Sequence, residues 1–277
     1  VIKRLQPCFL GEVDMRILLF ANNWVGWQVA RWLKERGDNL VGLVVHPPHM
    51  RKYGEEILKT VGLPEDRIFD GSELRQADTM QSIKNLHADI GLSIFFGYIL
   101  LPDFFHLFPA GVVNLHPSYL PYNRGTYPNV WSIIEGTPAG VSLHYIDVGI
   151  DTGDIIAQKQ VPVEPVDTGE TLYRMLERAS VELMKDTWPI ILSGQAGRRP
   201  QSVEEKSTFH RIRDVEKIDE IDLNRAYPAR ELINLLRART FPPYTGAYFR
   251  VGNRKVYLRL QLLYEDDLRG ELPENDH

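Results

Sequence analysis

The segment Asn114-Leu115-His116-Pro117-Ser118-Tyr119-Leu120-Pro121 closes an apolar run that begins at Gly111. Alternate residues of a strand share a face, so Asn114 and His116 point into one space. An amide can donate to a carbonyl oxygen that gains negative charge, and an imidazole near neutral pKa can take a proton from an attacking amine. The pair suits acyl transfer. A lone histidine at a strand end is more often a hydrogen-bonded structural residue, and Pro117 and Pro121 could either hold a site in place or simply end the strand.

A second group of polar residues is Asp147-Val148-Gly149-Ile150-Asp151-Thr152-Gly153-Asp154, three carboxylates in a glycine-containing loop. Its spacing does not follow a calcium-loop pattern, and no metal site is expected. A solvated turn and a carboxylate that orients an imidazole both remain open readings.

The elements that must position these residues alternate along the chain. Strands are expected at Arg16–Ala21, Leu40–Val45, Arg67–Phe69, Ala88–Ser93 and Gly111–Leu115, with helices at Val25–Arg36, Glu55–Val61 and Glu73–Leu86. Strands separated by helices need crossover connections, which predicts an α/β fold: a mostly parallel twisted sheet with helices on both faces. Ligands of such sheets bind at the carboxyl ends of the strands, where Asn114 and His116 fall. Two more strands, Val141–Tyr145 and Ile155–Val161, flank the aspartate loop. Thr168–Leu192 reads as a long helix with Asp167 as N-cap, Glu170 at capping-box spacing, and a kink or break expected at Pro189.

From Gln195 the texture changes. A catalytic domain at residues 15–194 and a small C-terminal α+β module at 195–277 are expected, the latter with a helix at Ala229–Ala238 and strands around a Gly252-Asn253 turn. Residues 1–14 precede Met15 and read as a disordered or non-native leader. The net charge of −5 over 277 residues gives no general attraction to long nucleic acid. No apolar run approaches the roughly 20 residues of a membrane span. The single Cys8 excludes an intramolecular disulfide framework and fits a cytoplasmic location. The turn Ala21-Asn22-Asn23-Trp24-Val25-Gly26 lacks the closely spaced glycines of a dinucleotide site.

Three separated blocks together resemble the folate-dependent formyltransferase family, which includes methionyl-tRNA formyltransferase, glycinamide ribonucleotide formyltransferase and the sugar N-formyltransferases. They are Asn114 to Ser118 with Leu120-Pro121 and Arg124-Gly125, then Gly140-Val141 through His144, then Asp147 through Ile155. The resemblance extends over about residues 15–194. It implies a catalytic triad of Asn114, His116 and Asp151 and 10-formyltetrahydrofolate as formyl donor. It also implies a folate pocket built from Phe95 to Pro102, with Phe96, Gly97, Tyr98, Ile99, Leu100 and Asp147 as contacts. Without the resemblance, that apolar run reads as core.

For the acceptor, the charge and the short C-terminal part argue against a tRNA, and Ile233 through Ala247 resembles the segment that follows the catalytic domain in sugar N-formyltransferases. A nucleotide-linked amino-deoxysugar, on dTDP, GDP or UDP and destined for surface polysaccharide, is the expected substrate. Initiator tRNA and glycinamide ribonucleotide are the runners-up. Arg124 and Arg237 are candidate diphosphate ligands, since guanidinium matches phosphate oxygens bidentately, and Tyr127 and Tyr244 are candidate sugar or base contacts. The aromatic tail could join two copies as a homodimer. A catalytically silent binding module of the same fold is the non-enzyme alternative, against which the intact triad argues.

Overall fold

The computed structural model describes residues 14–201 and 207–268. Residues 1–13, and so nearly all of the expected leader, lie outside the described residues. The chain divides into two compact units, one running to Val113 and including Lys185–Gly197, the other comprising Asn114–Met184 and the chain from Arg198 on.

The first unit alternates β1 (Arg16–Ala21), α1 (Asn23–Arg36), β2 (Asn39–Val45), α2 (Gly54–Val61), β3 (Ile68–Asp70), α3 (Ala77–Asn85), β4 (Ile90–Ile94) and the one-turn α4 (Pro102–Phe105). Its strands lie in the order β3-β2-β1-β4 with every pairing parallel. Such strands are covered on both faces, which is why β1 reads as an unbroken apolar run from Ile17 to Ala21: Ile17, Leu18, Leu19 and Phe20 are fully buried, as is Leu92 in β4. Trp188, also fully buried, donates its indole N–H to Asp38 Oδ1 at 3.2 Å.

The second unit begins within β5 (Val112–His116) and continues through β6 (Arg124–Gly125), α5 (Pro128–Glu135), β7 (Ala139–Tyr145) and β8 (Ile155–Val161). Strands β5, β7 and β8 are neighbours in that order, and β7 and β8 form an antiparallel hairpin around the aspartate loop. The chain then passes along α6 (Gly169–Leu192), β9 (Phe209–His210), α7 (Ile212–Asp219), α8 (Ala229–Ala238), the β10 (Tyr248–Val251) and β11 (Arg254–Tyr257) hairpin, and α9 (Glu265–Leu268). The sheet is thus mostly parallel, with a small C-terminal module that contains antiparallel strands.

Local hydrogen bonds explain where the elements depart from sequence expectation. Helix α3 starts at Ala77 rather than Glu73, because the Asp70 carboxylate accepts from Ser72 N and Oγ at 2.8 and 2.6 Å and winds residues 71–73 into a separate tight turn. Helix α6 is capped by Thr168, not Asp167. The Thr168 hydroxyl accepts from Thr171 N at 3.3 Å and the Thr171 hydroxyl accepts from Thr168 N at 2.9 Å, a reciprocal box in which threonine replaces the expected glutamate. The same helix runs through Pro189 to Leu192, since the carbonyl that loses its partner belongs to the exposed Lys185.

Candidate active site

Strand β5 delivers Asn114 and His116 to its carboxyl end. The loop that follows is pinned from β7 and β8: Ser142 Oγ donates to Ser118 O at 2.7 Å and accepts from Leu120 N at 3.1 Å, and Gln158 Nε2 donates to Leu120 O at 2.8 Å. His116 is 7% exposed, and its Nε2 has no hydrogen-bond partner among the described residues. In the tautomer that carries its proton on Nδ1, the Nε2 lone pair is a base. Burial pushes the His116 pKa below 6.5; Asp151 pulls it up and His144 pushes it further down. His116 is therefore neutral at neutral pH.

Asp151 places Oδ2 3.6 Å from His116 Nε2 and Oδ1 3.6 Å from His144 Nε2. Oδ2 also accepts the Gly125 N–H at 2.9 Å. Burial alone would raise the Asp151 pKa, but the two imidazoles and the Gly125 amide outweigh it and hold the carboxyl well below the usual carboxylate range. The residue adopts a left-handed conformation, φ +53°, which aspartate tolerates better than most side chains. Gly153 follows because no Cβ fits there: one would collide with the Tyr145 carbonyl.

His144 is a site residue that the sequence reading did not single out. Its Nδ1 lies 2.8 Å from Tyr145 O, a group that can only accept, so Nδ1 carries the proton and Nε2 accepts from Asn114 Nδ2 at 3.1 Å. His144 thereby orients the Asn114 amide. The signal was available, for His144 is the last residue but one of β7, just before the aspartate loop, as His116 ends β5. Gln201 was also missed, and nothing in its sequence surroundings marks it: its Oε1 accepts from Arg124 Nε at 3.2 Å and Nη2 at 2.6 Å.

The other expected contacts fall in several places. Asp147 Oδ1 accepts from Gly149 N at 3.0 Å and Thr152 Oγ1 at 2.5 Å, bracing the aspartate loop. Tyr127 is exposed at the start of α5, and Tyr244 is exposed with its ring edge-on to Phe241 at 5.2 Å. Arg237 is 8% exposed, and its Nη1 donates to the carbonyls of Glu164, Pro165 and Asp167 at 2.9, 3.3 and 2.9 Å. These bonds engage Nη1 and brace the turn before α6.

In the first unit, the Phe95–Pro102 segment is not plain core. His46 Nε2 accepts the Gly97 N–H at 3.0 Å, and the Phe96 and Tyr98 rings stand edge-on to the imidazole at 4.9 and 5.0 Å. Leu100 is buried, whereas Ile99 is 66% exposed and Leu101 is exposed beside it. A clamped backbone with solvent-facing apolar side chains fits a loop that covers the face of a flat aromatic ligand.

Comparison with known proteins bears on the same residues. A formyl transferase family model matches residues 40–187, and a model of the N-formyltransferase dimerization C-terminal domain matches residues 214–264. A methionyl-tRNA formyltransferase of Symbiobacterium thermophilum is 33% identical over 227 residues, 79% of this chain and 67% of the relative. A 4-N formyltransferase from Francisella tularensis is similar at TM-score 0.76 and 26% identity, over 92% of this chain and 100% of that one. The formyltransferase PseJ from Anoxybacillus kamchatkensis, solved with UDP-4,6-dideoxy-4-formamido-L-AltNAc and tetrahydrofolate, is similar at TM-score 0.53 and 30% identity, over 73% of this chain and 88% of that one. The matched span contains Asn114, His116, His144 and Asp151, and on that match the chain belongs to the formyl transferase family.

Proposed function

We propose that this folate-dependent N-formyltransferase formylates the amino group of a nucleotide-linked amino-deoxysugar, with Asn114, His116 and Asp151 as its catalytic residues. The observation that carries the chemistry is the buried, unpartnered His116 Nε2 facing a carboxylate held in its ionised form. The donor, 10-formyltetrahydrofolate, supplies an electrophilic formyl carbon and a leaving nitrogen. His116 takes the proton of the attacking amine as the new C–N bond forms, and Asp151 stabilises the resulting imidazolium. Asn114, oriented by His144, donates to the formyl oxygen as it gains charge. The imidazolium then returns its proton to the departing nitrogen. The Phe96 to Leu100 loop is the proposed folate contact, Asp147 braces the aspartate loop, and Arg124 and Tyr127 are the proposed contacts to the sugar nucleotide.

Two observations support a sugar acceptor. PseJ, 30% identical and matched over 88% of its length, was solved with a UDP-linked formamido sugar. The net charge of −5 also supplies no general grip on a polyanion. The 33% identity to the tRNA enzyme keeps initiator tRNA as the second reading. The deciding assay offers 10-formyltetrahydrofolate with a panel of dTDP-, GDP- and UDP-linked amino-deoxyhexoses and, separately, methionyl-tRNA. Formylation of one sugar with none on tRNA is expected; the reverse overturns the substrate assignment.

The C-terminal module supports assembly of two copies. In the β10–β11 register Phe249 lies opposite Val256, and Val251 lies on the same face opposite Arg254; Val251 and Val256 are exposed. The opposite face carries Tyr248 and Tyr257, with Lys255 Nζ 4.0 Å from the Tyr248 ring centre. The apolar face is the proposed dimer contact. No helix among the described residues is long and apolar enough to cross a membrane.

A further inference from the structure

Gln201 follows a linker-like stretch, yet its whole amide is engaged by the catalytic loops. Besides accepting from Arg124, it donates from Nε2 to Asp151 O and to Gly153 O, both at 2.8 Å. Arginine can only donate and carbonyls can only accept, so the orientation of this amide is fixed. The bonds fall where the backbone needs them: a residue with a Cβ held at φ +53° persists only when its surroundings over-determine it. The Asp151 side chain is anchored on Gly125 N and its carbonyl on Gln201, so each end of the residue has its own tether. A little further along, the same stretch of chain grips the Gly125 side. Arg124 N donates to Thr208 O at 2.9 Å, Thr126 N to His210 O at 3.0 Å, and Asn123 N to Thr208 Oγ1 at 2.8 Å. Gln201, Thr208 and His210 therefore tie together the two loops that place the carboxylate.

We propose that Gln201 is a positioning residue for formyl transfer, holding the Asp151 main chain in the conformation that keeps its carboxylate beside His116 and fixing Arg124 in the same grip. The proposal rests on the reading of His116 and Asp151 as catalytic. Misplacing a catalytic group by about an ångström can cost roughly 10²-fold in rate. Loss of these bonds should therefore lower kcat while leaving the formyl donor's KM nearly unchanged. It should also weaken the support that Asp151 gives to protonated His116.

The test uses the full-length enzyme with 10-formyltetrahydrofolate and the amino sugar that the acceptor panel identifies. Gln201→Met keeps the side chain's size and removes all of its hydrogen bonds; Gln201→Glu keeps the acceptor for Arg124 and removes only the two donors. Both are expected to lower kcat at least tenfold with donor KM within threefold of wild type. Histidine-resolved NMR titration of the free enzyme should show His116 in Gln201→Met titrating at lower pH than in wild type, the direction Asp151→Asn also produces. If Gln201→Met does not fold, Gln201→Ala takes its place in both measurements. Near-normal turnover in Gln201→Glu would reduce the residue to packing and overturn the proposal, and so would an unmoved His116 titration. Intact turnover in Asp151→Asn would instead sink the underlying catalytic reading, and the proposal with it.

Discussion

Asn114 Nδ2 sits 3.1 Å from His144 Nε2, and the far side of that imidazole is tied to Tyr145 O at 2.8 Å. The second histidine thus works as a rotation lock on the Asn114 amide, the proposed donor to the formyl oxygen. His144→Ala is expected to lower kcat at least tenfold with little change in donor KM, because a transition-state donor loses its alignment rather than a ground-state contact. His144→Gln, whose amide oxygen can still accept, should recover part of the loss. Steady-state kinetics of the two variants check this, and an alanine variant within twofold of wild type would remove His144 from the mechanism.

The buried position of His116 fixes the sign of the pH response. Its pKa lies below 6.5, so the lone pair remains available as pH falls past 6.5 and is lost only as pH passes through the depressed value. The acid limb of kcat/KM should therefore have its midpoint below 6.5. Asp151→Asn, which removes a charge that raises the His116 pKa, should move that limb lower still and cut kcat at the same time. Stability follows the same direction, because below 6.5 the unfolded chain takes up the proton first, and the folded state loses stability as pH falls from 6.5 through the folded value. A limb at or above 6.5 would contradict a desolvated base.

How far this site could be read from sequence depended on whether the signal was local. Asn114 and His116 were legible because strand alternation puts them on one face, and the apolar runs of β1, β2 and β4 announced a parallel sheet. The Asp151 loop looked equally like a solvated turn until Gly125 N and Gln201 were seen to hold it, and those bonds join residues 26 and 50 positions apart. Arg237 has a structural role that its sequence surroundings did not announce. Its charge suggested a phosphate, but only the tertiary structure shows that the turn before α6 presents three carbonyls to it. The same local limit applies to α6, where Thr168 and Thr171 took the capping role that composition assigned to Asp167 and Glu170.

Arg237 should matter to stability more than to turnover. Arg237→Met leaves the partly buried carbonyls of Glu164, Pro165 and Asp167 without their charged donor. Hydrogen bonds to charged groups contribute about 1.5–3 kcal/mol each, so a loss on the order of 2–4 kcal/mol and a clear fall in melting temperature are expected. Thermal melts and kinetics together decide the case. A variant with unchanged stability and a large rise in sugar-nucleotide KM would return Arg237 to the substrate.

The exposed face of the C-terminal hairpin sets oligomeric state in the reading proposed above. Val256→Glu puts a charge where Phe249 and Val251 share an apolar surface, and burying it against a second copy would be costly. Light scattering after size exclusion should show monomer for the variant and dimer for the wild type. A dimer in both would move the interface elsewhere.

Gly153 gives the sharpest test of how the aspartate loop is built. A Cβ there would overlap the Tyr145 carbonyl, a backbone atom of β7 that cannot turn aside as a flexible side chain would. Tyr145 is itself committed, since its N–H bonds Asp154 O at 2.9 Å and its carbonyl is the partner of His144 Nδ1. Relieving the overlap therefore displaces either the Asp151–Gly153 turn or the end of β7, and each move disturbs a group within reach of His116. Gly153→Ala should lose at least a hundredfold in kcat even where circular dichroism shows a folded protein, since misplacement of about an ångström can cost 10²-fold. Gly149→Ala makes the contrast. Its Cβ would meet the Thr152 side chain, which can give way at the cost of its bond to Asp147 Oδ1, so a smaller loss than at Gly153 is expected there. Equal losses at the two glycines would mean that the loop responds to any added bulk, and that the Tyr145 carbonyl is not what holds Asp151 in place.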